Sequence, residues 1–465
     1  MKIKFLFLLV LISSIAFSQD KTTAPAFKKR VLESTEVDFL ASYYNQEGSK
    51  SAVSGGIGSE KLTDIASNIV VAMPLNDDDV LTIDLGISAY SSASSSNINP
   101  FNSTGASSSG GPSGTPWQAS SGASKSDQLV SIVANYSHSS DSRNFIWNTD
   151  VSFSNEYDYT SVGFGGGIAT LFNEKNTELS LKANVYLDQW RPIYPTELDE
   201  YSKYGANFLN QGYFNGVSVL DQNGQTTTNY LPSAQTVSGV NRNSYSASVS
   251  FSQVLTKKLQ FSIFFDILQQ QGLLSSPYHR IYFADKANYY IGQAQYINNY
   301  ESSTNTGVYK LADDIERLPD SRFKVPVGAR LNYYINERFI LRTYYRFYSD
   351  NWDIQSHTAT IELPIKLSDR FTVFPMYRYY TQTASKYYAP YETHLSTERY
   401  YTSDADLATF DANQYGFGIN YTDIFTGTKI WKFGLKNIDF RFNHYERSDN
   451  LNANIGTIAF KFVMQ

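Results

Sequence analysis

LPIKLSDRFTVFPMYRYYTQ, residues 363–382, alternates on both sides of a short polar turn. Leu363, Ile365 and Leu367 fall on one face, and Pro364, Lys366 and Ser368 on the other. After Ser368-Asp369-Arg370 the apolar face resumes with Phe371, Val373, Tyr377 and Tyr379, opposite Thr372, Arg378 and Gln382. A period of two marks a β-strand with two unlike faces. Such a face meets either a protein core or lipid, and the rest of the chain decides between them.

The same alternation recurs near residues 35–44, 63–73, 80–90, 126–137, 143–154, 159–171, 177–188, 243–255, 259–269, 322–335, 338–349, 352–367, 370–381, 413–424, 433–445 and 454–464. The connections follow a second rhythm. Short polar turns such as Asn173–Asn176, Thr256–Lys258, Asn336–Arg338 and Ser368–Arg370 alternate with wide ones near 45–62, 91–124, 189–241, 270–320 and 382–412. Short periplasmic turns and long external loops are the pattern of an outer-membrane barrel. The reading is therefore an all-β, transmembrane antiparallel β-barrel of about 16 strands (roughly 14–18), with both termini in the periplasm. Its domain span is 35–465. A soluble sandwich or propeller needs no such loop rhythm. On this reading Leu363, Ile365, Leu367, Phe371 and Val373 face lipid, and Tyr377 and Tyr379 approach the headgroup layer.

Composition agrees. The chain has 465 residues, 15% of them aromatic, including 36 Tyr and 30 Phe. Lys2 and Lys4 precede an apolar run from Phe5 to Phe17, which reads as a signal peptide over 1–18 followed by a periplasmic segment over 19–34. No other run approaches the ~18 apolar residues of a membrane helix. A net charge of -6 implies no nucleic-acid or other polyanion partner. Five His and no Cys argue against a transition-metal centre of the usual kind and rule out disulfides. The expected partners are outer-membrane lipid, lipopolysaccharide and the barrel-assembly machinery, which reads a terminal aromatic strand such as Ile458–Met464.

Taking the polar parity as inward splits the wall into two arcs. A basic arc carries Lys324, Arg330, Arg342, Arg346, Lys366, Arg378, Arg441 and Lys461, with Glu362, Asp439 and Asp266 as acidic exceptions. An acidic arc carries Glu36, Asp38, Asp64, Asp84, Asp150 and Asp188, with Lys182 as the basic exception. Two readings stay open: a transverse field across a water-filled pore, or a packed lumen in which these charges pair with each other and with infolded loops.

Candidates for chemistry are sparse. His279 lies near Ser275, Ser276 and Asp285, and His394 near Glu392 and Glu398, but neither spacing makes a nucleophile motif. His357 and His444 sit at expected strand ends. Each reads as a hydrogen-bonded loop or rim residue, and neither catalysis nor a cofactor is expected. The loop clusters Glu197/Asp199/Glu200, Asp313/Asp314/Glu316 and Asp404/Asp406 are candidates for a divalent cation or for bridging to lipopolysaccharide, though none matches a defined calcium loop.

Several stretches resemble one family: VDFLASYYNQEGSKSAVSGGIGSEKL (37–62), LQQQGLLSSPYHRIYF (268–283), ERLPDSR (316–322), YRFYSDNWDIQSHT (345–358), YRYYTQTASKYY (377–388) and YYTSDADLATF (400–410). The chain is similar throughout its mature length to the domain of unknown function 3570 family of Gram-negative envelopes. The resemblance implies an outer-membrane barrel encoded beside a small lipoprotein, a thioredoxin-like protein and a flavin transferase. An envelope lipoprotein or redox complex is therefore an implied partner. The resemblance supplies no catalytic residue. The expected role is a channel or translocation conduit, with a docking scaffold as the alternative and a barrel enzyme as a distant third.

Overall fold

The computed structural model describes residues 30–92, 126–233, 240–299 and 307–465. The signal peptide over 1–18, most of the segment 19–34 and nearly all of the Ser/Gly-rich connection 91–124 lie outside the described residues. No described helix is long and apolar enough to cross a membrane.

Sixteen antiparallel strands form the wall. They are β1 (Glu36–Glu47), β2 (Leu62–Pro74), β3 (Asp79–Ser92), β4 (Ser126–Ser139), β5 (Phe145–Asn155), β6 (Tyr159–Phe172), β7 (Thr177–Trp190) and β8 (Arg242–Thr256), then β9 (Leu259–Gly272), β10 (Ser321–Tyr334), β11 (Ile340–Asp350), β12 (Gln355–Glu362, resuming at Ile365–Lys366), β13 (Phe371–Gln382), β14 (Phe410–Thr422), β15 (Phe433–Arg447) and β16 (Asn452–Met464). Each pairs with its chain neighbours, and β1 also pairs with β16, so the sheet closes without an edge. The span read as one strand over 352–367 is interrupted at Leu363-Pro364. Pro364 and the nearby Pro375 of β13 have no N–H to give the ladder. The register is unbroken across the gap, with Glu362 opposite Met376 and Ile365 opposite Val373.

The burial pattern is the reverse of a soluble domain. On the strands, large apolar side chains stand exposed: Ile65, Leu85, Val151, Phe153, Phe164, Ile263, Phe417 and Phe440 among them. The buried apolar residues belong mostly to the connections. Phe208, Phe214, Val219, Tyr230, Ile291, Tyr309 and Leu311 form one core, drawn from the connections after β7 and β9. Leu198, Tyr282, Ala312 and Ile315 form a second, against Tyr194 and Tyr391. These loops make a cap with its own secondary structure. A three-stranded sheet joins Val219–Asp221, Tyr289–Gly292 and Val308–Leu311, and a two-stranded one joins Arg280–Ile281 to Asp314–Ile315.

The cap helix α1 (Thr196–Tyr204) shows why these loops order themselves. Glu197 and Asp199 occupy its first turn and Lys203 its last, complementing the helix dipole. Lys203 pairs with Asp199 one turn back at 2.6 Å. Gly205, at φ 61°, ends the helix in a conformation that favours glycine.

Candidate functional site: a capped lumen with a basic wall

Exposed Phe323 and Val327 on β10 and Tyr345 on β11 fix the odd positions of those strands outside. Lys324, Arg330, Arg342 and Arg346 therefore point inward. Their fates differ. Arg342 reaches Glu362 at 2.9 Å, and Arg441 binds the other oxygen of Glu362 at 2.9 Å and Asp439 at 2.9 Å. Arg441 stands on β15 and Glu362 on β12, so the guanidinium crosses two strands along the concave surface. Gly418 of β14 lies beneath it, where a Cβ would sit 3.1 Å from Arg441 Cγ. At the seam, Lys461 takes Glu36 at 2.6 Å and Asp38 at 3.4 Å. Lys366 pairs with Asp369 in the adjacent short turn at 2.7 Å, so it belongs to the rim rather than to the lumen belt.

Arg330, Arg346 and Arg378 have no carboxylate partner among the described residues. Arg330 lies beside the stacked rings of Phe264 and Tyr344, 5.7 and 5.6 Å from their centroids. Arg346 Nε is buried without a hydrogen-bond partner. Arg378 donates to Thr360 at 3.0 Å and Gln414 at 3.3 Å, both neutral. A chamber of about 670 Å³ is lined by all three arginines with Tyr380 and Gln414, and reaches Asp406 and Arg447 of the cap junction. A second chamber, about 520 Å³, shares Arg330, Tyr344 and Arg346 and runs to Glu178, Ser250 and Asp266.

Beyond Glu36 and Asp38 at the seam, the acidic arc is met by neutral groups. Asp64 accepts from Ser88 at 2.6 Å, Asp84 from Asn68 at 3.1 Å and Asp188 from Tyr159 at 2.5 Å. Asp150 lies over Gly165, where a Cβ would come within 2.4 Å of its carboxylate. Charge pairing along the wall thus occurs at the seam, around Glu362 and between Arg322 and Asp350, and leaves the central arginines without carboxylate partners.

The cap is tied together by buried ions. Arg280 and Glu197 are both fully buried, with Nε to Oε1 at 2.8 Å and a second contact at 3.4 Å. Arg280 also donates to the Val53 carbonyl at 3.0 Å, so one side chain joins three connections. Burial alone would lower its pKa, but the Glu197 charge more than reverses this. Lys310 binds Glu392 and Tyr391. Arg317 holds Asp314 at 3.0 Å. Arg447 on β15 grips Asp406 at 2.5 Å and Asp449 at 2.7 Å, fastening cap to wall. The three loop clusters are thereby largely committed to neighbours.

The histidine neighbourhoods differ from those the sequence suggests. Asp285 turns away from His279 and accepts from Ser396. His279 instead meets Glu316 and Asp404, residues distant in the chain. His394 keeps Glu398, at 2.7 Å, and gives its other nitrogen to the Thr402 carbonyl, while Glu392 goes to Lys310. His279 and Asp404 open onto a cavity of about 830 Å³ between cap and wall. Glu60, Glu156, Asp158, Asp188 and Asp406 also line it, with Arg242 and Lys61 opposing. Sequence spacing offered no signal for this convergence, because it depends on how two long connections dock.

Burial and then the Asp406 charge push Glu60 up to about 7, and burial pushes Asp313 up to about 6 against a hydrogen bond from the Phe283 amide. Both groups bind protons more tightly in the folded cap than in an unfolded chain, where carboxyls titrate near ~4. Their contribution is therefore fully present in acid and lost as pH rises through about 6 to 7. Hydrogen exchange in the 273–299 and 307–320 segments, corrected for intrinsic rate, is expected to show more protection at about pH 5.5 than at about pH 8. Equal or greater protection at the higher pH would contradict it.

A closed sixteen-stranded antiparallel barrel with a folded cap defines the class. The chain belongs to the family described as protein of unknown function (DUF3570), whose model matches residues 7–461. No curated protein matches the sequence. Similar solved structures include a bacterial polysaccharide outer membrane secretin (TM-score 0.40, 9% identity, covering 92% of this chain and 99% of that one). A Pseudomonas aeruginosa FadL homologue has TM-score 0.37 and 8% identity, covering 93% and 90%. A BenF-like porin from Pseudomonas fluorescens Pf-5 has TM-score 0.37 and 8% identity, covering 93% and 100%. Likenesses at this level carry no inference about cargo.

Proposed function

We propose that the chain spans an outer membrane as a channel whose external mouth is closed by its own cap and whose lumen favours anionic solutes. The apolar belt supports the membrane setting, since it would cost a water-exposed protein the full hydrophobic penalty of those side chains. At the short-turn end, Phe425 and Trp431 stand free, Trp431 at 92% exposure, a placement suited to the headgroup layer. The observation that carries the functional reading is the trio Arg330, Arg346 and Arg378, unpaired with carboxylates and facing chambers beneath the cap. Arg330 and Arg378 are exposed to these chambers and Arg346 is half-buried, so their uncompensated charge sets a positive field over the lumen that attracts an anionic solute and repels cations. The cap, with its own cores and ion pairs, supports a resting closed state.

A docking scaffold for an envelope lipoprotein or redox complex is the second reading, favoured by the order of the cap itself, which offers a stable external surface. Planar-bilayer conductance in a salt gradient separates the two. The channel reading expects low or rare conductance from the intact chain, and larger, anion-selective steps when the cap is loosened by Arg280→Met. Silence from both, with the barrel shown to be folded by its heat-modifiable gel mobility, would reject the channel and leave the scaffold.

A further inference from the structure

We propose that His279, Glu316 and Asp404 form a binding site for a first-row divalent transition-metal ion, seated in the cap and open to the 830 Å³ cavity. One imidazole nitrogen and two carboxylate oxygens lie within 4.8 Å of one another. His279 Nδ1 is 3.4 Å from Glu316 Oε1. That is long for a hydrogen bond. It equals the separation, about 3.4 Å, of two ligands on a tetrahedral ion with bonds of ~2.05 Å.

The ligands are held in place before any ion arrives. Glu316 Oε2 accepts the Ser276 amide at 2.6 Å, and Oε1 accepts the Thr402 hydroxyl at 2.5 Å. Glu316 is also nearly fully buried. Such outer hydrogen bonds orient metal-binding carboxylates. Asp404 accepts the Asp406 amide through Oδ1 at 2.9 Å, and its Oδ2 has no donor among the described residues. His279 Nε2 likewise has none, and the residue borders the cavity. Mixed nitrogen and oxygen donors suit zinc, cobalt, iron(II) or manganese. Calcium and magnesium prefer oxygen alone, and copper(I) prefers sulfur. The cavity leaves room for water in the remaining coordination position.

The ion would join the connection after β9 to the connection after β13. Asp404 precedes the turn Ala405–Leu407, whose Asp406 holds Arg447 of β15. Metal at this point would clamp the cap to the wall. The assignment stands whether or not the barrel conducts.

The test is calorimetric titration of the refolded, full-length chain with Zn²⁺, with Co²⁺ as an optical probe. One ion per chain and cobalt d–d bands with a nitrogen ligand are expected. His279→Gln and Asp404→Asn should each weaken binding at least about tenfold. The side-chain carbonyl introduced by Asp404→Asn still accepts the Asp406 amide, so the turn persists in that variant. Zn²⁺ should raise the midpoint of cap unfolding in the wild type and not in Asp404→Asn. Binding that survives both substitutions would place the ion elsewhere. Absence of heat and of cobalt bands at millimolar metal, or equal affinity for Ca²⁺, would overturn the proposal.

Discussion

Arg280→Met alone, or Glu197→Met alone, is expected to melt the cap while the barrel stays closed. Either change leaves one charge with no counter-ion in a fully buried position. Breaking a buried pair from one side costs about 3–5 kcal/mol, a large fraction of what small cores such as those around Phe208 and Leu198 can supply. The loss reaches further than the pair, because Arg280 also holds Val53 and Glu197 Oε1 also accepts the Ala312 amide. The barrel ladder shares none of these bonds. Limited proteolysis should therefore cut the variants within 191–233 and 273–299, while unboiled samples keep the mobility of a folded barrel. The double variant, Glu197→Met with Arg280→Met, should recover much of the protection, since well-packed apolar replacements of buried pairs are often neutral. A cap that resists protease in both single variants would show that the ion pair is dispensable.

Arg346→Glu combined with Arg378→Glu is expected to reverse the ion preference of an open lumen. Both guanidiniums face the 670 Å³ chamber, and neither neutralises a carboxylate. Reversal places negative charge where a focused positive potential stood, so the anion-to-cation permeability ratio should fall by at least about tenfold. Stability should change little by comparison, because no ion pair is broken. Arg342→Glu is the contrasting case. It sets a carboxylate against Glu362, which Arg441 also binds, and is expected to lower the unfolding midpoint with a smaller effect on selectivity. The reversal potential in a salt gradient, measured on a cap-loosened background, reads the first effect. An unchanged potential in the double variant would remove the arginine belt from the permeation path.

The arginine belt and the cap also differ in how far each could be read in the chain. Alternation in LPIKLSDRFTVFPMYRYYTQ and its counterparts located the wall strands to within a few residues, because a side-chain period of two is a local property. Parity likewise assigned Arg330, Arg346 and Arg378 to one face. The interruption at Leu363-Pro364 needed Pro375 from the facing strand as well as Pro364, and so required the register.

The pairing of charges was not local. Arg441 meets Glu362 only because the sheet curves into a barrel and Gly418 leaves its path clear. Asp285 and Glu392 sat beside His279 and His394 in sequence, yet Ser396 and Lys310 claimed them once the connections folded. Strands, faces and the rhythm of turns were legible in the chain, since each depends on neighbours a few residues apart. Long-range packing settled which arginines remain unpaired, that the long loops form a cored cap, and that His279, Glu316 and Asp404 converge. Those features are set by contacts between distant segments, whose geometry no local pattern encodes.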